Sequence, residues 1–144
     1  LFFCAGAIYV ASGKVNVSQL NGLGKVMPFT FAAFFIGACS VIGLPPLGGM
    51  WSKYYLALAA ADTGQLFFLG ALMVSSILNV AYLIPIVARG FFRPSDSAEE
   101  SDGIKEAPVF CVVPLCISAL GCIALFFFAD DLYNLLLPLA GEVK

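Results

Sequence analysis

The stretch GLPPLGGMWSKYY, residues 43–55, interrupts one of the most apolar runs of this chain. Between Pro28 and Ala61 the sequence is otherwise almost free of charge. As one α-helix that run would be ~50 Å long, too long for a hydrocarbon core of ~30 Å. Pro45, Pro46, Gly48 and Gly49 together should stop an α-helix, the prolines by sterics and a missing donor, the glycines by entropy. The pattern therefore predicts two half-helices, about 28–43 and 50–61, joined by an irregular segment of Leu44, Pro45, Pro46, Leu47, Gly48 and Gly49. Just past the break stands Lys53, nine residues before the polar turn Asp62, Thr63, Gly64. At helical rise that is ~14 Å, close to the midplane of a bilayer core.

The rest of the composition supplies the membrane. Residues of the AVILMFWYC set make up 61% of the 144 positions and charged residues 11%. Soluble domains usually hold about 45–50% of the former, and one of this size could not bury so much apolar surface. An all-α, polytopic membrane protein is expected. The formal charge of −2 argues against nucleic acid as a partner. Histidine is absent, which excludes Ser–His–Asp and Cys–His hydrolytic chemistry. Cys4, Cys39, Cys111, Cys116 and Cys122 lie in apolar stretches without a CxxC spacing, so no metal and no other cofactor is implied, and they read as small packing residues. Lys14 and Lys25 each follow a glycine but lack the spacing of a phosphate-binding loop.

Residues 1 to about 11 rise only ~16 Å as a helix, half a bilayer core. With no basic flank before it, this segment reads as a helix stump, and the chain as the C-terminal piece of something longer. Residues 12–27 form a polar connection. After the broken helix, 28–61, a span is expected over 65–89 with Pro85 as a kink, then an acidic loop over 93–107, then a span over 108–128 with Pro108 in a first-turn position. Residues 129–144 form a tail opening on the amphipathic DDLYNLLLPL. Lys14, Lys25, Arg89, Arg93 and Lys105 fall on one side of this layout and Lys144 on the other. Positive charge gathers on the cytoplasmic side, so 12–27 and 89–107 are expected there and the C-terminus opposite.

Lys53 belongs to neither side. An ionisable group at membrane depth marks an ion path when it faces protein or a water-filled cavity. Irregular backbone survives at that depth under the same condition, and broken helices recur at the ion sites of coupled transporters. An amine can also cycle between charged and neutral forms, which a guanidinium cannot. The opposing reading is a snorkelling anchor beside Trp51, Tyr54 and Tyr55. On the next span Ser75, Asn79 and Tyr82 make a polar stripe at i, i+4, i+7. It suits interhelical hydrogen bonding or the lining of a hydrated path. Glu106, before Pro108, is expected near the amino end of the helix that follows. Asp130 and Asp131 read as interface residues.

GLGKVMPFTFAAFFIGACSVIGLPPLGGMWSKYYL closely resembles the late broken helix of antiporter-like membrane subunits. These include the D-type subunits of multisubunit Mrp-type monovalent cation/proton antiporters and the proton-pumping membrane subunits of respiratory complex I. LNVAYLIPIVARGFF and EAPVFCVVPL look most like the D-type branch. The resemblance covers residues 1–128 and implies a fourteen-helix fold with two inverted five-helix repeats, each with one discontinuous helix. This chain would then hold the end of the eleventh helix and helices twelve to fourteen, with Lys53 at the family's charged position in the discontinuous twelfth. The resemblance further implies a proton relay at Lys53 and exchange of Na⁺, or another monovalent cation, for protons. The setting would be a hetero-oligomer in a prokaryotic cell membrane. Two alternatives stay open: an electron-transfer-driven membrane subunit of the complex I or hydrogenase type, and a non-conducting structural one.

Overall fold

The computed structural model describes residues 1–94 and 106–141. Most of the acidic loop expected at 93–107, Lys105 included, and the end of the tail with Lys144 lie outside the described residues. Among the described residues every regular element is helical: α1 (Phe2–Ser12), a 3₁₀ turn (Val17–Leu20), α2 (Leu23–Val26), α3 (Pro28–Ile42), α4 (Gly49–Asp62), α5 (Leu66–Phe92), α6 (Val109–Phe127) and α7 (Ala129–Gly141).

The hub is α3. It opens on Pro28, where a missing N–H costs nothing, and packs against α1, α2, α4, α5 and α6. Phe31, Thr30 and Ala38 on it are fully buried. Long enough to cross a bilayer, α5 and α6 run through Pro85 and Pro114 respectively. Their outer faces, with Phe67, Val74, Ile77, Ile117 and Leu120, are exposed. An apolar surface of that extent calls for lipid or further protein against it.

Close approach between α3 and α5 depends on glycine. A Cβ on Gly90 would overlap the ring of Phe31, coming within 2.6 Å of Cδ1. The space saved lets Phe31 meet Phe91 edge-on at 6.0 Å between ring centroids. At the same end of the bundle the Gly22 N–H donates to the Arg89 carbonyl at 3.2 Å, tying the connection after α1 to the end of α5.

Glu106 also sits at this end, two residues before the N-cap of α6 as the sequence suggested, with its side chain turned to a different helix. Its carboxylate accepts the Phe29 N–H and the Thr30 hydroxyl, both at 2.8 Å, so it caps the amino end of α3 rather than that of α6. The helix leaves its first N–H groups without internal partners, and their partial positive charge favours an anion there.

Two outcomes follow for thermal unfolding of the purified protein. Gly90→Ala forces a methyl into the Phe31 ring and should cost about 1–3 kcal/mol, as overpacking does; an unchanged midpoint would show that α3 and α5 are not so close. Glu106→Ala should cost about 1 kcal/mol, with Glu106→Gln keeping part of it through its amide oxygen.

Candidate functional site

One turn into α4, Lys53 folds its side chain back over the non-helical residues that separate α4 from α3. Its Nζ donates to the Ile42 carbonyl and to the Ser76 hydroxyl, each at 2.8 Å. Ile42 is the last residue of α3, so its carbonyl has lost its helical partner and carries the partial negative charge of a helix end. Ser76, on α5, donates its own O–H to the Leu72 carbonyl in a hydrogen bond of 3.0 Å. The lysine is half-buried, and both of its acceptors are neutral.

Glycine explains how the parts come so near. Gly43 ends α3 with φ of +89°, a left-handed turn favouring glycine, and a Cβ there would lie 2.9 Å from Lys53 Cδ. At Gly49 a Cβ would overlap the Ser40 carbonyl oxygen, so α4 starts in contact with the last turn of α3. The link between them holds a cis Pro45–Pro46 bond and buries Leu47, while Leu44, Pro45 and Pro46 are exposed. It is fastened to α6 by the Gly48 N–H, which donates to the Cys122 carbonyl at 3.0 Å.

The polar stripe expected on α5 is not brought to Lys53. Ser75 and Tyr82 are exposed, the Tyr82 hydroxyl donates to Asn79 Oδ1 at 2.6 Å, and all three residues line an open groove of about 740 Å³. The residue that does reach the lysine is Ser76, one position along. A stripe drawn by spacing alone could not choose between adjacent serines; counting back from Lys53 across the α4–α5 turn would have allowed either. The aromatic neighbours of Lys53 gather elsewhere, toward α6 and α7. Trp51 meets Phe126 at 6.0 Å and Tyr55 stacks on Tyr133 at 4.9 Å and 4°, around a cavity of about 380 Å³. Asp130 and Asp131 fall in the first turn of α7. Among the described residues no group of His, Cys, Asp and Glu is placed to hold a metal ion.

This arrangement sets the lysine amine where one helix ends and the next begins. The chain is 33% identical over 144 aligned residues to the N-type subunit of NADH-quinone oxidoreductase from Desulforudis audaxviator, covering 93% of this chain and 29% of that protein. To the D-type subunit of the Na⁺/H⁺ antiporter from Alkalihalophilus pseudofirmus it is 28% identical, covering 99% and 29%. Its fold resembles a chain of respiratory complex I from Thermus thermophilus with a TM-score of 0.68 at 24% identity, over 94% of this chain and 31% of that one. The chain thus spans less than a third of the length of these relatives. Residues 1–79, more than half of the chain, match the transmembrane family described as NADH:quinone oxidoreductase/Mrp antiporter, and the chain belongs to that family.

Proposed function

We propose that this chain is the late part of a proton-translocating, antiporter-like membrane subunit, in which α3, the 43–48 link and α4 form one discontinuous membrane helix and Lys53 relays protons. The observation that carries this reading is the placement of the Lys53 amine on the Ile42 carbonyl, across the break. A helix carboxyl end favours an ammonium, so gain or loss of the proton changes what holds the two half-helices together. That is the property a relay needs: its charge state acts on the backbone around it. Leu44 to Gly49 would give the site hydrated backbone. Ser75, Asn79 and Tyr82 would line a path once another helix closes over their groove.

In the proposed setting, exchange of cytoplasmic Na⁺, or another monovalent cation, for external protons drives or is driven by this relay. The protein works within a hetero-oligomer in a prokaryotic cell membrane. Residues 12–27 and 89–107 face the cytoplasm and the C-terminus the other side. A second reading, in which electron transfer drives the relay, is favoured by the higher identity to the oxidoreductase relative than to the antiporter relative.

The test uses the full-length protein with its partner subunits, in inverted vesicles from cells lacking other sodium/proton antiporters. Na⁺ is expected to collapse a pre-formed pH gradient with wild type and with neither Lys53→Ala nor Lys53→Arg, since the latter keeps charge but cannot release it. Exchange by both variants would remove Lys53 from the relay. No Na⁺ response in wild type, with acidification on addition of NADH instead, would establish the electron-driven reading.

A further inference from the structure

The two partners of Lys53 differ in kind. The Ile42 carbonyl can only accept a hydrogen bond, whereas the Ser76 hydroxyl can both accept and donate. In the structure it accepts from Nζ at 2.8 Å while donating a hydrogen bond to the Leu72 carbonyl at 3.0 Å. That pattern suits an ammonium, which has three donors and no lone pair. A neutral amine in the same half-buried position has a lone pair that needs a donor, and the Ile42 carbonyl cannot supply one. Ser76 can, by turning its O–H from Leu72 to Nζ. Leu72 lies inside α5, where its carbonyl keeps the helical N–H bond, so the turn leaves no backbone group bare.

We infer that Ser76 is the positioning residue of Lys53, holding the amine beside the break in both charge states by reversing the direction of one hydrogen bond. Its O–H bond stays intact throughout; the transported proton is carried on Nζ alone. The inference rests on the reading of Lys53 as a relay. A serine whose role is confined to its own helix stands for comparison on α6. The exposed Ser118 makes the same bond to the carbonyl four residues back, Pro114, at 2.9 Å.

Threonine and valine share a shape and differ in the hydroxyl, which isolates the group in question. In vesicles of the assembled, full-length protein, energised by whichever reaction drives wild type, Ser76→Thr should translocate protons within about twofold of wild type. Ser76→Val should fall about tenfold, the order expected for losing a hydrogen bond to a charged group, at equal amounts in the membrane. Ser76→Ala, which adds no volume, should match Ser76→Val and replaces it should that variant fail to assemble. Ser118→Val should leave the rate unchanged. Equal rates for the threonine variant and the variants without a hydroxyl, whether high or low, would overturn the role of Ser76. Lys53→Ala, run alongside, separates the two ideas: wild-type rates there would overturn the relay itself.

Discussion

A carbonyl oxygen that has lost its helical partner inside an apolar bundle is the constraint on which the rest of this structure depends. Ending α3 at Ile42 frees the carbonyls of its last turn, and the apolar side chains around them offer no donor. The chain answers from both sides of the break. Gly43 and Leu44 turn their N–H groups back onto Cys39, each at 3.0 Å, and Lys53 brings an amine onto Ile42. Gly48 fastens the far end of the link to the backbone of α6. The break is therefore a bonded joint, and the lysine is one of its bonds.

Such a joint requires backbones to come nearer than side chains normally allow. Gly43, Gly48 and Gly49 each leave out a Cβ where Lys53, Leu125 or Ser40 already sits. At the other end of α3, Gly90 of α5 does the same for Phe31. Glycine within a helix costs about 1 kcal/mol against alanine, so Gly90 inside α5 answers to proximity, while Gly43 at the end of α3 serves both proximity and a left-handed turn. Proximity at Gly49 sets the start of α4 against α3, and one helical turn later Lys53 is within reach of the carbonyl it caps.

The break and its lysine were legible because proline, glycine and a lone charge stand out against a uniform apolar background. The all-helical architecture followed from the same uniformity. Adjacent residues escaped it. Ser75 and Ser76 are equivalent by spacing, and only the rotation of α5 about its axis, set by packing against α3 and α4, brings the second to Lys53. The partners of Glu106 escaped for a different reason: its place ahead of α6 could be read, but Phe29 and Thr30 lie 77 and 76 residues away, beyond any periodic signal. Local rules place elements and breaks, while contacts between distant segments are decided by the fold.

Those two side chains, Glu106 and Lys53, meet opposite ends of the same helix. A carboxylate holds the amino end of α3 and an amine its carboxyl end, each complementary to the partial charge it faces, and neither belongs to α3 itself. A charge at a helix terminus contributes about 0.3–1 kcal/mol, more where it is partly buried. On the proposed reading, loss of the proton from Lys53 removes the cation from one end while the carboxylate stays at the other. The helix that packs against five neighbours is then held by one charged cap instead of two. A change of that size, delivered to the hub of the bundle, is enough to bias the packing around it severalfold. It does not depend on what supplies the energy. On the proposed reading the same joint therefore fits both kinds of relative this chain resembles, a subunit of an NADH-quinone oxidoreductase and one of a Na⁺/H⁺ antiporter.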